Sequence, residues 1–212
     1  MVENNQSDIS IDVFNNLSKD YNLIPIFKIL DKGKKTPVSV YKNLDNHSNT
    51  FLLESVEGNK NFARYSFIGF NPNQIIKTGD NEEFKKVDPL SKLEKELENI
   101  RTPKLENLPE FSSGAVGFIS YEAVSYFEPS VKKIDGQTSY FPESIFFITS
   151  SLIIFDNEEN KIFIISHADL RESDNFEKEY KNSLEEIKVI TKIIESSLDS
   201  VDESYHDNTN DI

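Results

Sequence analysis

The 212-residue chain contains no cysteine. Disulfides, thiolate chemistry and cysteine-ligated zinc or iron–sulfur sites are therefore excluded. Basic residues are scarce relative to acids: Lys+Arg 23 against Asp+Glu 37 leaves a net charge of −14. A non-specific nucleic-acid binder needs cations to replace counterions along the phosphates, and this chain has the opposite balance. The same balance opposes an anionic membrane surface. No apolar run is long enough for a transmembrane helix. The first ten residues lack the basic start and apolar stretch of a secretory signal, so the expected compartment is the cytoplasm. His47, His167 and His206 are too scattered to form a local metal motif. There is no GxSxG, no phosphate loop and no dinucleotide fingerprint. The GxxG at Gly114–Gly117 reads better as structural glycine in a strand, a bulge or a close approach of another backbone.

Hydrophobic residues are only 37% of the chain, but 16 Phe and 8 Tyr supply large buried areas. The expected organisation is a disordered N-terminus over 1–19, one domain over 20–198 and a disordered acidic tail or linker over 199–212, which carries five acids. Within the domain, 51–53, 64–69 and 115–121 read as strands. The stretch 145–155 reads as one continuous apolar strand buried on both faces. A polar turn over 156–160 returns it into 161–167. Asp88-Pro89 announces a helix, with Leu90, Leu93, Leu97 and Ile100 on one face and Thr102-Pro103 closing it. A second helix is expected over 173–198, with Phe176, Tyr180, Leu184, Ile187, Ile190 or Thr191, Ile194 and Leu198 as its stripe. The segments 32–50 and 104–111 are expected as loops. The fold class is α+β: a largely antiparallel sheet with packed helices.

Leu52-Leu53-Glu54-Ser55 places a carboxylate and a hydroxyl at the end of an apolar strand. Taken alone, this is a solvated strand terminus. It is also a cradle for an ammonium group, because an ionised oxygen makes the stronger, charge-assisted bond. Arg64 heads the next strand, and pairing of the two strands would bring it near Glu54. There it is either an ordinary cross-strand ion pair or the base that an amino-acid carboxylate requires. Ser120-Tyr121-Glu122 and Tyr126-Phe127-Glu128 read as core aromatics with surface acids.

Several segments in order resemble the N-terminal domain of the anthranilate synthase component I family. They are 21–26 (YNLIPI), 36–41 (TPVSVY), 51–58 (FLLESVEG), 63–69 (ARYSFIG), 88–90 (DPL), 114–122 (GAVGFISYE) and 126–128 (YFE). The resemblance covers roughly 20–200. The chain departs from the family's usual residues at Ser113, Phe118, Glu122 and Ser125, where glycine, tyrosine, aspartate and arginine are common. The resemblance implies the N-terminal part of a larger two-part chorismate-utilising fold. The parent reaction converts chorismate and ammonia to anthranilate and pyruvate in tryptophan synthesis, with a glutamine amidotransferase component II as partner. Magnesium and the catalytic residues belong to a C-terminal catalytic domain beyond this chain, so the chain is expected to hold no cofactor and to be inactive alone. In the family the LLES segment lines the pocket for the feedback inhibitor L-tryptophan. That carries over to Leu53, Glu54 and Ser55, and to Arg64, Tyr65 and Ser66 of the nearby RYS segment. Two other readings remain: a free-standing module that binds an amino acid or an amidotransferase, and a fragment of the related aminodeoxychorismate synthase component I.

Overall fold

The computed structural model describes residues 9–44, 47–54, 64–128, 130–131 and 141–197. In chain order these form α1 (Ile11–Leu17), β1 (Leu23–Asp31), α2 (Pro37–Lys42), β2 (Phe51–Leu53), β3 (Tyr65–Phe70), β4 (Gln74–Thr78), α3 (Pro89–Leu97) and β5 (Ala115–Ile119). A single 3₁₀ turn (Tyr121–Ala123) and α4 (Val124–Phe127) follow, then β6 (Ser144–Ile148), β7 (Ser151–Asp156), β8 (Lys161–Asp169) and α5 (Phe176–Ser196). All strand pairings are antiparallel. The α+β expectation holds, with two sheets in place of one: a five-stranded sheet ordered β1-β8-β7-β3-β2 and a three-stranded sheet ordered β4-β6-β5.

The split corrects the expectation of one strand over 145–155. The chain bends at Thr149-Ser150, between β6 and β7, and at 71–73, between β3 and β4. Asn71 adopts φ 47°, a left-handed conformation that asparagine tolerates better than most residues. Hydrogen bonds tie this corner together. Ser150 Oγ donates to the Asn71 carbonyl. The Asn73 amide donates to Ile148 O at 3.0 Å. Thr149 donates to Gly114 O from both its amide (2.9 Å) and its hydroxyl (3.0 Å). Three consecutive hydroxyl residues, Thr149 to Ser151, inside an apolar run are the only sequence trace of this corner.

Directly paired residues share a face of a sheet, and successive residues alternate. One face of the larger sheet carries Ile68, Ile153 and Phe155 and is covered by helices, as the 3.1 Å bond from Ser151 Oγ to Glu186 of α5 shows. Tyr180, Ile187, Ile190, Thr191 and Ile194 of α5 are buried there, as the stripe anticipated; Phe176 at its start is 40% exposed instead. Leu198 lies outside the described residues. The second, smaller core joins Ile76, Phe146 and Ile148 to Phe84, Leu93, Leu97, Ile100 and Ala115. Asp88 caps α3 as expected, accepting from the amides of Leu90 (2.9 Å) and Ser91 (3.3 Å), although the helix ends at Leu97, before Ile100.

Three further expectations are corrected. Residues 11–17, expected within a structureless N-terminus, form α1. Its Phe14 is fully buried with its ring 5.0 Å from Tyr180, whose hydroxyl donates to Ile9 O at 2.9 Å. Phe14 packs this short helix against α5, with Ile9, Ile11 and Leu17 also on the core. Residues 37–42, expected as loop, form α2. Thr36 caps it by accepting from the Ser39 amide at 3.1 Å, and Pro37 sits in its first turn. The strands β1 and β4 were not anticipated as strands. Pro25 is tolerated in β1 because that strand is an edge, where a missing N–H breaks no essential ladder bond. The residues 1–8 and the tail 199–212 lie outside the described residues. Among the described residues no helix is long and apolar enough to cross a membrane.

Candidate functional site

Leu53 ends β2 directly opposite Phe67 of β3, so both stand on the face of the large sheet away from α5. Tyr65, two residues from Phe67, stands on the same face opposite Asp156. The segment 105–111 partly covers this side. Phe111 meets the Phe67 ring edge-on at 5.4 Å between centroids, and Tyr65 lies 6.1 Å from Phe67. Leu53 remains 47% exposed. The result is a partly open apolar and aromatic platform at the end of β2. The exposed Glu54 carboxylate follows immediately after it in the chain.

Arg64 does not pair with Glu54. Its guanidinium grips Asp156 of β7 with three hydrogen bonds, from Nε at 3.1 and 3.2 Å and from Nη2 at 2.8 Å. Its Nη1 reaches Glu158 at 3.3 Å, and its carbonyl accepts from the Asn157 amide at 2.9 Å. The guanidinium carbon sits 4.9 Å from the Tyr65 ring centre, within cation–π range. Asp156 is 1% exposed and also accepts from the amides of Glu158 (3.0 Å) and Glu159 (3.1 Å) at the β7–β8 turn. Burial pushes the Asp156 carboxyl up, but the bonds from Arg64 and from the two amides outweigh it and hold the group below the ordinary carboxylate range. The same pairing raises Arg64 above its usual value. Burial, with the Asp156 charge second, raises the Tyr65 phenol. Arg64 is thus committed to holding the turn and the Tyr65 ring, and Asp156 occupies the position an incoming carboxylate would need.

The six sequence candidates therefore separate. Leu53 and Tyr65 share one face and Glu54 adjoins Leu53. Arg64 is tied to Asp156. Ser66 alternates to the helix-covered face opposite Phe155 and is 1% exposed, so it does not share the platform of Leu53 and Tyr65. Ser55 lies outside the described residues. Asp156, Phe67 and Phe111 were missed as site residues. Asp156 read only as the start of a turn, and no local spacing links it to Arg64, 92 residues away. Among the described residues no three His, Asp or Glu side chains converge as a metal site.

A second polar feature lies at the corner between the sheets. His167 of β8 is 6% exposed and donates from Nδ1 to Ser150 O at 2.8 Å, while its backbone amide donates to the same oxygen at 2.9 Å. Among the described residues its Nε2 has no hydrogen-bond partner within 3.5 Å. Burial is the main influence and lowers the His167 pKa; the Ser150 and Ser112 carbonyls and Asp169 oppose it. The folded state therefore keeps this ring neutral, whereas the unfolded chain takes up a proton near pH 6.5. The stability this contributes is complete above about pH 6.5 and declines as pH falls below it. Chemical unfolding between pH 7.5 and 5 is expected to show this decline, and His167→Gln to flatten it. An unchanged slope in the variant would assign the dependence to other groups.

Comparison with known proteins adds the family. Residues 48–211 match the model of the family described as chorismate binding enzyme. A probable anthranilate synthase component 1 of Schizosaccharomyces pombe is 36% identical over 176 residues, which are 82% of this chain and 35% of that protein. Anthranilate synthase component 1 of Acetivibrio thermocellus is 32% identical over 190 residues, 84% of this chain and 37% of that protein. The crystal structure of anthranilate synthase component I from Streptococcus pneumoniae superposes with TM-score 0.45 at 28% identity, over 75% of this chain and 36% of that one. The chain thus spans little more than a third of the length of these relatives. By its family match over 48–211, the chain belongs to the chorismate-binding enzyme family.

Proposed function

We propose that this chain is the regulatory N-terminal part of an anthranilate synthase component I. In this reading it holds L-tryptophan as feedback inhibitor and performs no chemistry by itself. The observation that carries the reading is the platform of Leu53, Tyr65 and Phe67 with the exposed Glu54 carboxylate at its end. An indole ring gains from contact with these aromatic and aliphatic side chains. Glu54, with Ser55 next to it, receives the ammonium group through a charge-assisted bond. Arg64 contributes by holding the Tyr65 ring, not by meeting the ligand's carboxylate, since Asp156 already fills its fork. The remaining contacts, the magnesium and the chorismate site are assigned to the catalytic part that the relatives possess beyond the matched stretch. The ammonia donor is assigned to a glutamine amidotransferase component II. The assembly works in the cytoplasm. Tryptophan regulates because its affinity differs between two states of the whole enzyme, and that difference needs the catalytic part.

Calorimetric titration of the chain with L-tryptophan should give saturable binding, weakened about tenfold or more in Glu54→Gln, equivalent to about 1.4 kcal/mol. No heat at millimolar tryptophan, or equal affinity in the variant, rejects the site. Mixing the chain with chorismate, ammonia and magnesium should give no anthranilate fluorescence; clear turnover rejects the non-catalytic role.

A further inference from the structure

The charges at the end of the aromatic platform are unequal in sign. Leu53, Tyr65 and Phe67 supply its surface, and the exposed Glu54 follows Leu53 in the chain. Burial acts most on the Tyr65 phenol; the charges that bear on it are the carboxylates of Asp156, Glu158 and Glu159, opposed by Arg64. That arginine borders the ring, with its guanidinium carbon 4.9 Å from the ring centre, but its bonding edges are taken. Nε and Nη2 bond Asp156, and Nη1 lies 3.3 Å from Glu158. Asp156 is itself 1% exposed and held by the amides of Glu158 and Glu159, so the pair is fixed in place. A carboxylate approaching Tyr65 meets an occupied guanidinium and three acids of its own sign. Like charges brought together at a binding surface cost affinity. An ammonium group meets the opposite conditions: the Glu54 carboxylate for a charge-assisted bond, and an aromatic face that attracts cations.

We infer that this chain selects its ligand by the aromatic ring and the ammonium group and discriminates against the carboxylate, so that its ligand class is the aryl-alkyl-ammonium cation. Tryptamine, which keeps the indole and the amine of tryptophan and lacks its carboxylate, is then the better ligand of the two. Asp156 sets this preference as a positioning residue: it acts through Arg64, whose fork it fills, and touches no ligand itself. The inference rests on the proposed amino-acid site and narrows what the site reads of the molecule it holds.

The test titrates the full 212-residue chain at pH 7 with tryptamine, L-tryptophan and indole-3-propionate, which has the ring and the carboxylate but no amine. The chain contains no tryptophan, so indole emission reports the ligand alone. Tryptamine is expected to bind at least about threefold more tightly than L-tryptophan, and indole-3-propionate at least about tenfold more weakly than tryptamine. Leu53→Ala, at a position 47% exposed, and Glu54→Gln should each weaken tryptamine binding. Binding indifferent to both variants is general attraction of a cation to an acidic chain and overturns the inference. Asp156→Asn removes the charge that fills the fork, so L-tryptophan should gain about tenfold on tryptamine. Circular dichroism checks that this variant stays folded; if it does not, Glu158→Gln, at a side chain 70% exposed, should shift the ratio in the same direction. An unchanged ratio in the folded variant overturns the role of Asp156. The ligand series also separates the two proposals. L-Tryptophan binding more tightly than tryptamine shows that the carboxylate is read, which overturns this inference and keeps the tryptophan site. Tryptamine binding without L-tryptophan binding does the reverse, and binding of neither rejects both.

Discussion

Phe155→Ala is expected to destabilise the folded chain by about 3–5 kcal/mol, the range for truncating a buried phenylalanine. Phe155 is fully buried on β7, an interior strand of the larger sheet. It lies between Ser66 of β3 and Ile162 of β8 in register, facing the helix layer. Those neighbours belong to three hydrogen-bonded strands and cannot close in without breaking the ladder. The cavity therefore persists, and its unfilled contacts add to the lost transfer free energy. Domains hold only about 5–15 kcal/mol in total, so one such change removes a large share. Denaturant unfolding should show a lower midpoint at unchanged slope. Phe176→Ala, 40% exposed at the start of α5, is the control and should move the midpoint little. A Phe155→Ala loss below about 1 kcal/mol would mean that the core relaxes freely, contrary to this packing.

Gly117→Ala is expected to cost about 2–3 kcal/mol by overpacking, concentrated in the three-stranded sheet. A Cβ at Gly117 would overlap the Ile145 carbonyl oxygen and lie 2.8 Å from the Phe146 Cα. Both obstacles are backbone, so no side-chain rotation relieves the clash, and β5 must move away from β6. The five residue pairs from Ala115–Ile148 to Ile119–Ser144 would then loosen together. Hydrogen exchange should accelerate in β5 and β6 while β7 and β8 of the larger sheet keep their protection. A variant as stable as the parent, with unchanged exchange in β5, would show that the strands do not approach so closely.

The strands and helices with strong local signals were legible. Asp88-Pro89 opened a helix because an acceptor before proline satisfies free amides whatever the surroundings. The α5 stripe was legible because its apolar spacing matches the helical period over five turns. Gly117 was legible as a strand glycine marking either a bulge or a close approach; the structure decides for the close approach and supplies the neighbour, the Ile145 carbonyl. Short elements were missed. The helices α1 and α2 are too brief for periodicity to register, and each depends on a single cap and one or two buried contacts. Of the site, the Leu53–Glu54 strand end was readable as a short apolar run closing on an acid. Its aromatic floor was not, because Tyr65, Phe67 and Phe111 meet only after the strands have paired and the 105–111 segment has folded over them.

The amino-acid sequence by itself determined the α+β class, the antiparallel pairing across the β7–β8 turn and the family to which the chain belongs. The first two follow from local chemistry (side-chain period, turn residues and caps), and the family from a resemblance carried by the order of short motifs. Only the tertiary structure decided that the long apolar run breaks into two sheets, that Arg64 serves Asp156 instead of Glu54, and that Ser66 faces the helices. Each of these depends on residues tens of positions apart meeting in one register, and a shift of one residue would have turned every side chain to the opposite face.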